Sequence, residues 1–337
     1  MMNLENRIAS LCRLGKSMDP EIPEVQEVAE RAFFNNRWFT REHTYLMLES
    51  IRHQFLQEEK LHQWLAGYTI KDEQHAKTIG LIMAGNIPLV GFHDLLCVLL
   101  SGHKALIKLS SKDNILLPWL LEKLFLTDEK WRSRVAVAEL LNGMDAAIAT
   151  GSNNSARYFH YYFDKYPNII RKNRGSVAVL KGNESTADLL QLGIDIFTYF
   201  GLGCRNVSKL LVPEGYSFNH FFESIAPFHK VIEHNKYKNN FDYNLTLLMM
   251  NKEPHYNNDF LMLKEDSRMV SPVAILHYEY YQSETDLTDK LEKQKEEIQV
   301  IAGENFIPFG KTQTVFCEFL PLIMSADFLE TFSTNTL

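Results

Sequence analysis

About 30 residues beginning at Thr78 restrict the fold more than any other stretch of this chain. TIGLIMA is an apolar run of strand length, and GNIPLVG after it carries the Gly and Pro punctuation of a loop. FHDLLCVLLS follows as a largely apolar helix, and Gly102 ends it, where a glycine takes the left-handed conformation of a helix C-terminus. KALIKLSS is a second short strand. Strand, helix and strand in so few residues make a βαβ unit, and its two strands must run parallel.

The pattern continues. LPWLLEKLF reads as a helix, and the strand-like AAIAT runs into GSNNSARYFHYYF, another strand-to-helix junction. Helix N-termini present unpaired N–H groups that suit an anion. Such junctions predict an α/β protein with an open, mostly parallel sheet that binds ligands beyond the C-terminal ends of its strands. A second α/β region starts near Gly175 with the strand SVAVLKG. STADLLQLGIDIFTYFG is then a helix opened by a capping-box pattern, Ser185 to Asp188, and VSKLLVP is a strand. YNLTLLMM, VSPVAILHYEYY and TQTVFCEF are expected as strands and TDLTDKLEKQKEEIQ as an exposed helix. Before Thr78, EVQEVAERAFFNNRWF and REHTYLMLESIRHQFLQEEKLHQWL space apolar residues by three and four, as the packing helices of a scaffold or lid do.

The 337 residues allow two domains, with a break expected between Arg171 and Gly175. A hydrophobic content of 45% and a charged content of 23% fit a soluble globular protein. The net charge of -7 argues against a nucleic-acid surface. NILLPWLLEKLFL is too short to span a bilayer and is interrupted by Pro118, Glu122 and Lys123. The charged N-terminus has no apolar signal core. The 12 histidines form no HExxH pattern and no metal pair, so no metal is expected. The four cysteines are widely separated and form no CxxC, which fits a reducing cytoplasm rather than a disulfide scaffold.

Cys97 and Cys317 lie in apolar helix and strand patterns and read as core, while nothing suggests a role for Cys12. Cys204 differs. Gly201 and Gly203 remove side-chain bulk around it, and Arg205 favours the thiolate, the nucleophilic form. A lone cysteine is also a common buried filler, and these residues alone leave both readings open. His93 and His103, flanking the first βαβ helix, either line a cleft or are structural. RYFHYYFDKY reads as core packing and HNKYKNN as a solvated loop.

The order of motifs from about Gly80 to Pro213 resembles the aldehyde dehydrogenase superfamily. Its Asn-aromatic-Pro loop is matched by GNIPL, with Asn86, and its helix ending in Cys-Gly-Asn by LSGHKALIKLSS. Its Lys-Pro-Ser-Glu falls on Lys108, Leu109, Ser110 and Ser111, and its Phe-Thr-Gly-Ser on ATGS, with Gly151 and Ser152. Its Gly-Gln-x-Cys falls on GLGC, with Cys204. Within the superfamily, MAGNIPLVGFHDLLCVLLSGHKALIKLSSKD and TYFGLGCRNVSKLLVP look like the LuxC-type acyl-CoA reductases, which reduce acyl thioesters to aldehydes with NADPH.

The resemblance implies an aldehyde dehydrogenase-like fold, with a helical N-terminal segment and a Rossmann-type NADP-binding domain over 1–174. A catalytic α/β domain would span 175–309, and a segment over 310–337 would pack back on the nucleotide-binding domain. It implies Cys204 as nucleophile toward an acyl-CoA or acyl-protein thioester, and the Asn86 amide with the Cys204 N–H as oxyanion donors. NADPH would be held by Lys108, Ser110, Ser111, Gly151 and Ser152. It also implies a homo-oligomer. Two departures point toward reduction with NADPH. Lys172 of KNRG stands where aldehyde oxidisers carry the Glu that activates water, although Glu184 or Glu318 remain candidates for that role. Ser111 stands where NAD-preferring members carry a Glu, and a hydroxyl accepts a 2′-phosphate that a carboxylate repels; the chemistry of SSKD equally suits a helix N-cap. A third departure concerns the nicotinamide ribose: the Glu-x-Phe-Gly-Pro that holds it falls on RMVSPV, with Arg268 at the Glu and only Pro272 retained. The alternatives are an aldehyde-oxidising dehydrogenase or acyl-phosphate reductase of the same superfamily, or a non-catalytic binding protein that retains the fold.

Overall fold

The computed structural model describes residues 2–68, 70, 76–151 and 153–313. Among these, the residues up to Lys172 form one compact unit and those from Asn173 form another. The first begins with four helices, α1 (Leu4–Lys16), α2 (Pro23–Asn35), α3 (Arg41–Gln54) and α4 (Glu58–Leu65). Asn3 and Thr40 cap α1 and α3 with side-chain acceptors, and Pro23 occupies the first turn of α2. The chain then alternates β1 (Thr78–Ile82), α5 (Phe92–Leu100), β2 (Lys104–Lys108), α6 (Leu116–Thr127), β3 (Val135–Val137), β4 (Ala146–Thr150), α7 (Asn153–Phe163) and β5 (Asn168–Arg171).

These five strands form an all-parallel sheet in the order β3-β2-β1-β4-β5. From β1 the chain winds outward through β2 to β3, then returns to place β4 and β5 on the other side. The connections after β1 and β4 therefore diverge, which opens a crevice at the C-terminal edge of the sheet. Eight of the nine residues of α5 are buried, all but Asp94, so the helix needs a cover on the side away from the sheet. The N-terminal helices supply it: α1 packs on α3, α4, α5 and α6, and their apolar residues share one core with Ile79, Leu81 and Ile107. Gly102 ends α5 with a φ of 83°.

The second unit runs β6 (Gly175–Val179), α8 (Thr186–Phe197), β7 (Val207–Pro213), α9 (Asn219–Ile225), α10 (Asn235–Met250), β8 (Tyr256–Asn257), β9 (Met262–Glu265), β10 (Ile275–Tyr281), α11 (Glu284–Lys293) and β11 (Ile298–Ala302). Its sheet has the order β11-β6-β7-β10-β9-β8 and is parallel except for the β8–β9 pair. The Ser185–Asp188 capping box forms as the sequence implies.

Three sequence expectations are corrected here. YNLTLLMM is the C-terminal half of α10 rather than a strand, and HNKYKNN supplies the His234 cap and first turns of that helix rather than a loop. Tyr237, Phe241, Asn244 and Leu248 bury a single face at spacings of three and four, while Met249 and Met250 are exposed. RYFHYYFDKY is not all core: Tyr158, Tyr161 and Tyr162 face solvent because a helix offers the sheet only one side. The short strands β3, β5, β8, β9 and β11 had no distinct pattern. Cys317, Glu318, most of TQTVFCEF and the segment from 314 lie outside the described residues.

A partly buried charge cluster lies on the second sheet. The side chain of Lys209 is wholly buried, and its ammonium donates to Glu279 at 2.7 Å, to the Ser267 carbonyl at 2.8 Å and to Gln294 at 3.1 Å. Lys290 holds the other Glu279 oxygen at 2.5 Å. Glu279→Ala leaves two ammonium groups without their shared carboxylate, and a loss of about 2–4 kcal/mol in unfolding free energy is expected. Urea denaturation checks this, and a Lys209→Met/Glu279→Leu pair should recover most of the loss.

Candidate active site

The register of the first sheet brings three strand ends to one edge. Ile82 pairs with Lys108 on one side and with Ala149 on the other, so the loops after β1, β2 and β4 leave side by side. Gly85 lies so close to Ser110 that a Cβ there would overlap the serine side chain. Only glycine fits there, immediately before the half-buried Asn86. Past Asn86 the backbone is strained: Leu89 is buried with a φ of 49°. Its N–H donates to a carboxylate oxygen of buried Asp113 at 2.8 Å. Burial raises the Asp113 pKa to about 6, against the amides of Leu89, Leu116 and Leu117, which lower it.

Ser110 closes its own turn. Its hydroxyl accepts from the Lys112 N–H at 3.2 Å and its carbonyl from the Asp113 N–H at 3.1 Å. Lys108, Ser111 and Lys112 are exposed. At the end of β4, Gly151 donates its N–H to the Arg171 carbonyl, and a Cβ on it would come within 2.8 Å of the Phe159 ring. That glycine lets α7 pack closely on the strand end. Ser152 lies outside the described residues.

In the second unit Cys204 is half-buried, in the turn that precedes β7. The helix α8 does not run up to it. Tyr199, Phe200 and Gly201 have φ of 53°, 57° and 73°, three consecutive left-handed residues, of which only the last is glycine. The Gly203 carbonyl accepts from the Asn206 N–H at 3.0 Å, so residues 203–206 form a β-turn with Cys204 in its second position. The Cys204 carbonyl accepts from the Ser176 hydroxyl at 3.0 Å, which ties the turn to β6. Arg205 is 5% exposed. Burial pulls its pKa down to about 9, while the charges of Cys204 and Tyr199 oppose that drop. The Arg205 guanidinium is thus desolvated, in the turn that carries the half-buried Cys204.

Neighbouring elements reach this same edge. Gly175 touches Ser208, and the Ser208 hydroxyl donates to the carbonyl of Met269 in RMVSPV at 2.9 Å. Arg268 is turned to Asp266 instead, with a largely exposed side chain. Glu184 lies past the C-terminal end of β6, where it accepts from the N–H groups of Lys181 and Gly182. Cys204 lies before the N-terminal end of the paired β7, so the length of the strand pair separates the two.

A protein-family model of acyl-CoA reductase (LuxC) matches residues 19–212, more than half of the chain. The chain belongs to the LuxC acyl-CoA reductase family. No curated protein matches it. Among solved structures, one similar fold is an NADP-dependent enzyme of E. coli (11% identity, TM-score 0.64, covering 90% of this chain and 78% of that one). Another is indole-3-acetaldehyde dehydrogenase with NAD+ (10% identity, TM-score 0.65, 89% and 72%). A third is a cysteine-to-alanine variant of aldehyde dehydrogenase C from Pseudomonas syringae with NAD+ and octanal (12% identity, TM-score 0.62, 85% and 70%). The fold is therefore aldehyde dehydrogenase-like, and a LuxC family member with this fold is an oxidoreductase of acyl or aldehyde groups.

Residues that hold this LuxC family member's loops escaped the sequence reading. Asp113 sits in SSKD, which reads as a turn or cap, but its partner Leu89 is 24 positions away. Asp195 lies in the last turn of α8 with no visible signal. It is fully buried and accepts from the Gly310 and Thr312 N–H groups and the Thr312 hydroxyl at 2.7–3.1 Å, while burial raises its pKa to about 6. Asn206 follows Cys204 by two residues and makes no pattern.

Gly201→Ala puts a Cβ in the left-handed region, 3.3 Å from the Ile196 carbonyl. It should lower stability by about 1–2 kcal/mol, as urea denaturation will show. Asp113 gives a pH dependence. The folded protein protonates it near 6, the unfolded chain near 4, so the folded state binds the extra proton between these values. Wild-type stability relative to Asp113→Asn should rise as pH falls from 7 to 5, approaching about 2–3 kcal/mol below pH 4. Urea titrations of both proteins at pH 7, 6 and 5 check the sign.

Proposed function

We propose that this chain reduces an acyl-CoA thioester, of fatty or related acyl type, to its aldehyde with NADPH through a Cys204 acyl-enzyme. The observation that carries the reading is the half-buried Cys204 thiol, held in a turn pinned to β6 and followed directly by the buried Arg205. A cation next to sulfur favours the thiolate, which attacks a thioester carbonyl and expels the coenzyme A thiolate. The Asn86 side-chain amide and the Cys204 N–H are assigned to the oxyanion by their places in the family pattern. The residues up to Lys172 serve as the nucleotide-binding domain and those from Asn173 as the catalytic one.

The side chains at the end of β2 fit a 2′-phosphorylated cofactor. The one carboxylate of that loop, Asp113, is turned inward to Leu89, which leaves Lys108, Ser111 and Lys112 exposed. Ser110, Gly151 and Ser152 complete the proposed cradle. NADPH, when bound, supplies the hydride that takes the acyl group to the aldehyde level. An acyl-enzyme awaiting hydride must be kept from water, and two features support this: Lys172 replaces the oxidisers' glutamate, and Glu184 lies at the far end of the strand pair from Cys204. The proposed setting is cytoplasmic, with a homo-oligomer as the working form.

The test is acyl-CoA-dependent NADPH oxidation, compared with aldehyde oxidation by NAD(P)+. Cys204→Ala should abolish both turnover and the transfer of a labelled acyl group to protein. Ser111→Glu should raise the KM for NADPH by 10-fold or more, with a smaller effect on NADH. Faster oxidation of aldehyde to free acid, or labelling that persists in Cys204→Ala, overturns the reading.

A further inference from the structure

The left-handed turn before Cys204 is unfavourable in itself, because each non-glycine residue in that conformation costs about 1–2 kcal/mol. Something must hold it, and the hydrogen bonds around it converge on one side chain. Asn206 is 1% exposed. Its amide nitrogen donates to the Asp195 carbonyl at 2.9 Å and to the Thr198 carbonyl at 2.7 Å. These belong to the last turns of α8 and to the residue at which the left-handed turn begins. Its amide oxygen accepts from the Gly203 N–H at 2.9 Å, and its own N–H donates to the Gly203 carbonyl at 3.0 Å. Gly203 is thus gripped at both main-chain groups by one residue, and Cys204 and Arg205 are the two residues enclosed.

We propose, resting on the reading of Cys204 as nucleophile, that Asn206 is the positioning residue that sets its sulfur. The side chain serves as the C-terminal cap of α8, the clasp of the left-handed turn and the closure of the Cys204 turn. Only a carboxamide suits all three tasks. Two carbonyls need a donor and one N–H needs an acceptor, so aspartate would set an anion against two carbonyl oxygens, and serine is too short to span them. With Asn206 in place, Cys204 is held in one turn with the buried Arg205 guanidinium. Without it, the turn relaxes and the sulfur leaves the cation.

The test uses the full chain and reads Cys204 by mass spectrometry after iodoacetamide treatment, as a function of pH. In Asn206→Asp and Asn206→Ser the pH of half-maximal alkylation at Cys204 should rise by about one unit or more. Acylation by acyl-CoA should slow by 10-fold or more, with KM changing less. Asn244→Ala removes another buried carboxamide, whose donor meets the Val273 carbonyl at 2.9 Å. It should lower the urea midpoint and leave the Cys204 profile unchanged. In the wild type the Gly203 amide should exchange with solvent as slowly as amides of β7, which tests the clasp even if the variants do not fold. Exchange at the free-peptide rate, or an unchanged alkylation profile in folded Asn206→Asp and Asn206→Ser, overturns the proposal. If wild-type Cys204 accepts no acyl group, the reductase reading fails, and the alkylation and exchange results still decide the role of Asn206.

Discussion

Parallel strands cannot be joined by tight turns, and the crossover helices that join them must lie on the faces of the sheet. Both units of this protein follow from that requirement. In the first, the crossover α5 is almost entirely apolar and lies between the sheet and a second layer built by α1 to α4. The N-terminal helices therefore belong to the core of that unit. In the second, α8 crosses from β6 to β7 and delivers the chain to Cys204. The loops proposed to carry chemistry lie at the sheet edges because the strands and their crossovers occupy everything else.

Those loops are held by buried polar side chains. Leu89 and the Tyr199–Gly201 turn are both left-handed, and each is secured by a side chain that reaches its backbone. Asp113 holds the Leu89 N–H, and Asn206 holds carbonyls on one side of its turn and an N–H on the other. Such bonds are strong where water is excluded, and a strained backbone persists only where its surroundings determine it fully. The rigidity suits the proposed covalent site, whose nucleophile would have to meet a carbonyl in one geometry.

The chain belongs to the LuxC acyl-CoA reductases and has the fold of the aldehyde dehydrogenases. In the proposed alignment with the superfamily's motifs, two departures bear on the reaction and its cofactor. Lys172 in place of a water-activating carboxylate, and Ser111 in place of a ribose-binding one, both remove negative charge. The proposed reductase uses the first change to spare the acyl-enzyme and the second to accept a phosphate.

The amino-acid sequence by itself determined the βαβ units, the capping box of α8 and the motif order that assigns the family. These are local patterns, set by side-chain period, turn residues and spacing. It misled at YNLTLLMM, where a run of apolar residues reads the same in a strand as in a helix, and the contact of one face with the rest of its unit decides. Only the tertiary structure decided that Glu184 and Cys204 lie at opposite ends of a strand pair, that Gly85 meets Ser110, and that Asp113 and Asn206 hold the loops. The first follows from how two strands pair, and the others rest on contacts between residues of different elements. A hydrogen bond depends on where two groups come to rest in space, and spacing along the chain does not encode that.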